Sequence, residues 1–228
     1  MEKVTAIILA AGKGTRMGAE IPKQFMELDG KPLLYYSLKA FEDSEVSDII
    51  LVTNDEYMEY CQENIINKYC FEKIKKIIKG GTERYWSVWN GLRACNQTTH
   101  VLIHDAARPC ITKEMIHEFV HMVSKYGCCT LGVPVKDTIK IVDGQRYSVD
   151  TPPRDSLWQV QTPQGFVYSD LVCAYEMMIK SEQRDITDDT MIMERFLHKK
   201  TKMIMGDYCN IKVTTPEDIR VVKNFVKI

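Results

Sequence analysis

No stretch of this sequence is long and apolar enough to span a membrane, and the apolar run Val4 to Leu9 is shorter than a secretory signal requires. Charge of one sign is scarce too. The 30 lysines and arginines nearly match the 31 aspartates and glutamates, leaving a formal net charge of −1. A broad basic surface for gripping nucleic acid is therefore not expected. The eight cysteines form no C-x-x-C pair, and without a signal segment they read as reduced, mostly buried thiols of a cytoplasmic protein. Internal repeats, low-complexity runs and disordered linkers are absent. The two standard phosphate fingerprints are missing as well: Met17 stands where G-x-G-x-x-G needs its third glycine, and G-x-x-x-x-G-K-[ST] does not occur.

What remains is an ordinary globular composition, 45% hydrophobic and 27% charged. A chain of 228 residues can bury a substantial core, and 1–228 reads as a single domain. Strand-like runs at 4–9, 48–53, 73–79, 100–105, 128–135 and 201–205 alternate with helical spacing at 33–42, 56–69, 82–95 and 113–126. That rhythm predicts an α/β fold, a Rossmann-like, mostly parallel sheet with helices on both faces. Ligands of such sheets bind beyond the carboxyl ends of the strands. One segment breaks the rhythm: 138–152 carries strand-like residues on either side of Asp143-Gly144, a hairpin turn signal. An isolated hairpin is barely stable in water, so a protruding β-arm at about 138–156 that dimerises with a second copy is expected.

The first strand runs into "AAGKGTRMGAEIPKQF", residues 10–25. Gly12, Gly14 and Gly18 allow close backbone approach to a ligand, while Arg16 and Lys23 add two permanent cations. This suits a polyphosphate whose charge shifts during reaction; a plain strand-to-helix turn with solvated charges would read the same way. In "KGGTERYWSVWNG", 79–91, Thr82 is a candidate helix cap, the glycine pair allows close passage to a ligand, and Ser87 falls near the helix start, within reach of a base or sugar; a plain capped helix with its aromatics in the core would read the same way. "HDAARP", 104–109, sets Asp105 and Arg108 past a strand end, either around a ligand or as a surface pair. Arg154 and Lys212 each stand beside hydroxyl side chains, and Thr215-Pro216-Glu217-Asp218 is a strong helix start.

Together these segments closely resemble the 2-C-methyl-D-erythritol 4-phosphate cytidylyltransferases. The matching pieces are "AAGKGTRMGAEIPKQ", "GGTERYWSV", "HDAARP", "VPVKDTIK", "DSLWQVQTPQGF", "ITDD" and "NIKVTTPED", in the family's order across nearly the whole chain. The ribitol-5-phosphate cytidylyltransferases are the near relatives by pattern, and tend to differ at Ala106-Ala107 and Trp158. The resemblance implies transfer of CMP from CTP to the phosphate of a small sugar alcohol, with Mg²⁺ held mainly by nucleotide phosphates and water. It assigns Arg16, Lys23, Arg154 and Lys212 to the reaction. Ala10, Ala11, Gly12, Gly81, Thr82, Ser87 and Ala106 would hold the nucleotide. Asp105, Arg108, Thr138, Arg154, Thr162 and Lys212 would position the acceptor, with Thr138 and Arg154, on or beside the arm, serving either their own site or the neighbouring subunit's.

The chemistry agrees. A phosphate monoester near neutral pH carries about −1.5 to −2 charges, so it needs no general base. It needs cations that screen it from the triphosphate, and no nucleophile–base pair is evident. A binding module without turnover would not need cations on both sides of a reaction. Two features lie outside this scheme. Asp188-Asp189 fits a helix cap or an outer-shell contact. "HEFVH", 117–121, matches H-E-x-x-H, but Ile116, Phe119, Val120 and Val123 form the apolar stripe of that helix and no third ligand follows in sequence.

Overall fold

The computed structural model describes residues 2–12, 21–181 and 185–226. In chain order the elements are β1 (Val4–Ala10), β2 (Glu27–Leu28), β3 (Lys31–Pro32), α1 (Leu33–Glu42), β4 (Asp48–Thr53), α2 (Met58–Cys61), β5 (Ile74–Lys79), α3 (Arg84–Ala94), β6 (His100–Asp105) and α4 (Lys113–Tyr126). There follow β7 (Cys128–Pro134), β8 (Ile141–Val142), β9 (Ser148–Asp150), β10 (Trp158–Val167), α5 (Tyr168–Lys180), α6 (Asp189–Leu197), β11 (Lys202–Met205) and α7 (Pro216–Val222).

Among the described residues, seven strands form the main sheet, in the order β11-β7-β10-β6-β1-β4-β5. All neighbours run parallel except β10, which is antiparallel to both β6 and β7. β1 lies between β4 and β6, and its alternating side chains feed two cores. Val4, Ala6, Ile8 and Ala10 face α1, α2 and α4, where Leu38, Phe41, Cys61, Ile116, Phe119 and Val123 pack. Ile7 faces the opposite layer, with Val88 and Leu92 of α3, Tyr175 of α5 and Ile192 of α6. The helices therefore cover both faces, as the alternation predicts.

β10 was not among the expected strands. Its sequence, WQVQTPQGFV, buries Gln161, Thr162 and Gln164 and carries a proline, so neither apolar alternation nor strand propensity marks it. The pairing with β7 shifts register between Val160 and Gln164, which turns polar side chains inward. The helix expected at 56–69 is broken into a short α2 and a wider π turn, Gln62–Asn67. Thr82 is not a cap: α3 starts after Glu83, whose side chain makes no capping bond. The start of α7 does carry a capping box on Thr215 and Asp218.

β8 and β9 pair with each other in a sheet of their own. The turn is wider than an Asp-Gly two-residue turn. Asp143 accepts the Gln145 and Tyr147 amides, and the left-handed residue is Arg146, φ 68°. No helix among the described residues is long and apolar enough to cross a membrane.

Candidate active site

At the carboxyl ends of the parallel strands lies a cavity of about 380 Å³, lined among others by Ala11, Gly12, Lys23, Arg84, Asp105 and Lys212. Several chain segments converge there, and each is held for a local reason. After β1 the chain leaves through Ala11 and Gly12 and returns at Ile21. Gln24, 2% exposed, clamps that departure by donating to the carbonyls of Ala10 (2.6 Å) and Gly12 (3.1 Å). Lys23, in the adjoining 3₁₀ turn, donates to the Val213 carbonyl at 2.8 Å. Arg16, Gly14 and Gly18 lie outside the described residues.

The turn after β5 packs on the same place. A side chain at Gly80 would come within 2.4 Å of the Ala11 side chain, so the glycine is required by loop-on-loop contact. The sequence suggested close approach to a ligand, but the neighbour that fills the space is Ala11. A side chain at Gly81 would meet Trp86 at 2.2 Å. The Gly81 amide donates to Ser87 Oγ at 3.0 Å, which ties the turn to the first turn of α3. Gly81, Thr82 and Ser87 all line the cavity.

Asp105 ends β6 and is the electrostatic centre. It takes Lys212 Nζ at 2.6 Å on one oxygen and Arg84 Nε at 3.3 Å on the other. Burial alone would raise its pKa, yet Arg84, Lys212 and Arg108 outweigh burial and hold the carboxyl well below the usual range. Arg84 continues to Asp189 Oδ2 at 2.8 Å, and Tyr175 donates to Asp189 Oδ1 at 2.6 Å. Burial works to discharge Arg84, but Asp189 and Asp105 prevail and raise its pKa, so the guanidinium stays charged. Asp188 caps α6 by accepting the Met191 amide, while Asp189 turns inward, fully buried. The two candidate roles of the acid pair thus fall to different residues.

Arg108 does not pair with Asp105 as a surface couple. It donates to the carbonyls of Asn210 (2.7 Å) and Val160 (3.2 Å). Together with the bond from the Val213 amide to the Ala107 carbonyl, 2.8 Å, this stitches the 210–213 segment against β6 and carries Lys212 over Asp105. Lys212 and Arg108 also line a second cavity of about 280 Å³, bounded by Val160 and Tyr208. Lys212 therefore faces both cavities.

Other expected positions stand further back. Ala10 and Ala106 are buried, and it is Ala107 that reaches the cavity wall. Thr162 is 5% exposed, and its hydroxyl is engaged by the Asp105 amide (3.1 Å) and His104 Nδ1 (3.0 Å). It sets the end of β6 from behind. Thr138 and Arg154 are exposed beside the β8–β9 hairpin, Arg154 donating to the Lys136 carbonyl at 3.2 Å, and neither lines either of the two cavities above. Gln24, Arg84 and Tyr175 are not among the expected site residues, while Asp189 takes the outer contact that the acid pair allowed. Arg84 in "GGTERYWSV", Gln24 in "AAGKGTRMGAEIPKQF" and Asp189 in "ITDD" lay in stretches already singled out, and Tyr175 did not.

An open α/β sheet with cations gathered where its strands end defines a nucleotide-binding protein of the phosphate-handling kind. The model of the 2-C-methyl-D-erythritol 4-phosphate cytidylyltransferase family matches residues 4–227. A protein of that name from Lachnospira eligens is 48% identical over 225 residues, covering 98% of this chain and 99% of its own length. One from Clostridium perfringens strain SM101 is 46% identical over the full length of both. The crystal structure of 4-diphosphocytidyl-2C-methyl-D-erythritol synthase from Anaerococcus prevotii superposes with a TM-score of 0.86, at 32% identity and 98% coverage of each chain. The chain belongs to the 2-C-methyl-D-erythritol 4-phosphate cytidylyltransferase family, as its motifs imply.

Proposed function

We propose that this chain transfers CMP from CTP to 2-C-methyl-D-erythritol 4-phosphate, releasing pyrophosphate, as a step of isoprenoid precursor biosynthesis. The observation that carries the proposal is the position of Lys212, held on Asp105 at 2.6 Å and facing both cavities. The larger cavity suits the nucleotide and the smaller one, beside Arg108, suits the acceptor. An oxygen of the acceptor phosphate attacks the α-phosphorus, and the bond from that phosphorus to the β-phosphate oxygen breaks. No proton has to be removed from the dianion. Lys23 and Lys212, with Arg16 beyond the described residues, offset the charge where two anions meet.

Ala10, Ala11, Gly12, Gly81, Thr82, Ser87 and Ala106 are assigned to the nucleotide. Asp105, Arg108 and Lys212 are assigned to the acceptor, and Thr162 to fixing Asp105. Mg²⁺ accompanies the nucleotide. Both oxygens of Asp105 already hold cations, which favours an ion carried mainly by phosphate oxygens and water. Thr138 and Arg154 are assigned to the site of a second subunit. The hairpin leaves Ile141 48%, Val142 52%, Tyr147 69% and Val149 61% exposed, an apolar surface that a second copy would cover. A cytoplasmic address accords with the free thiols of its cysteines.

Pyrophosphate release is the test, measured with CTP or UTP and with methylerythritol phosphate or ribitol 5-phosphate as acceptor. Turnover is expected with CTP and methylerythritol phosphate. Preference for ribitol phosphate would move the assignment to CDP-ribitol formation, and preference for UTP would undo the base assignment. Light scattering should give the mass of a dimer; a monomer at micromolar concentration removes the shared-site assignment.

A further inference from the structure

Away from both cavities, the flank of α4 carries His117 and His121, one turn apart on the same exposed side. Glu45, from the connection between α1 and β4, stands against them. Its Oε2 lies 2.6 Å from His117 Nδ1, and the two imidazole rings meet edge to face with centroids 4.6 Å apart. One ligand atom from each of the three residues lies within 4.8 Å of the other two. The H-E-x-x-H stretch offers two ligands and no third along its own helix; the fold supplies the third from 72 residues earlier.

We propose that Glu45, His117 and His121 form a surface site for a divalent transition-metal ion, Zn²⁺ being the probe of choice. Two imidazoles and one carboxylate are a ligand set that zinc accepts, with water completing a tetrahedral shell. Ligands at about 2.0 Å in such a shell stand about 3.3 Å apart, so the Glu45–His117 pair has to open slightly and His121 to draw in. All three side chains are exposed and have the rotamer freedom to do so. The surrounding surface adds Asp43, Glu114 and Glu118 against Lys113 and against Lys39, which pairs with Asp43 at 2.7 Å, and the remaining negative charge favours a cation. The ion would tie the α1–β4 connection to α4.

Zinc titrated into chelator-treated full-length protein, followed by calorimetry, tests the site. One equivalent is expected at micromolar affinity, weakened at least about tenfold by His121→Ala or Glu45→Gln. Cobalt(II) should give the spectrum of nitrogen and oxygen ligation, and pyrophosphate release should be unchanged in these variants. Zinc binding of equal strength in wild type and in a His117→Ala/His121→Ala variant overturns the proposal. So does a thiolate-to-cobalt charge-transfer band that accounts for the bound metal, or the absence of binding in wild type.

Discussion

His104 gives the most quantitative prediction. It is fully buried on β6, with its ring 5.1 Å from Phe41. Thr162 Oγ1 accepts the Asp105 amide, so its own proton goes to His104 Nδ1; His104 Nε2–H then donates to the Arg108 carbonyl at 3.3 Å. This assignment satisfies every polar group with a neutral imidazole. Burial accordingly lowers the His104 pKa to about 3. An unfolded histidine titrates near 6.5, so the unfolded chain takes up the proton first as the pH falls. Stability from this residue is fully present above about pH 6.5 and is lost progressively below it. At about pH 5 the loss is some 1.5 pH units times 1.36 kcal/mol, or about 2 kcal/mol. The figure depends chiefly on the unfolded value, since at that pH the folded imidazole stays neutral. Urea unfolding of wild type and His104→Gln at about pH 8 and about pH 5 isolates the effect, because the other titrating groups cancel between the two proteins. The wild type's advantage should shrink by about 2 kcal/mol at the lower pH. An advantage of the same size at both pH values would refute the assignment of a buried neutral imidazole.

Lys23→Ala should lower kcat at least about 10²-fold while the circular dichroism and melting transition persist, and near-normal turnover would remove Lys23 from the chemistry. Lys212→Ala and Arg154→Ala should weaken use of the acceptor while calorimetric CTP binding is largely kept; loss of CTP binding would contradict the division between the two cavities. Tyr175→Phe leaves Asp189 Oδ1 without its hydroxyl donor and should cost about 1–3 kcal/mol in urea unfolding, and unaltered stability would deny that contact a structural role.

The sheet was legible because β1, β4 and β6 carry unbroken apolar runs, and α4 because Ile116, Phe119, Val120 and Val123 repeat at helical spacing. β10 was not, since its inward face is largely amide and hydroxyl. Of the site, Lys23, Asp105 and Lys212 stood out as charges beside glycines or strand ends. Arg84 and Asp189 did not announce their partnership, because they are 105 residues apart and only the packing of α6 against α3 and α5 brings them together. Local patterns encode which face a residue takes, but not which distant charge neutralises it. The third ligand beside His117 and His121 escaped for the same reason. Gln24 escaped because a buried glutamine that clamps two carbonyls looks, in sequence, like any polar residue after a proline.

The central claim is that fixed cations at the strand ends bring nucleotide and acceptor phosphates together, and crystals soaked in CTP test it most directly. The triphosphate is predicted beside Lys23 at the mouth of the loop after β1, with the cytosine against Gly81 and Ser87. Nucleotide density anywhere else on the molecule would contradict the account.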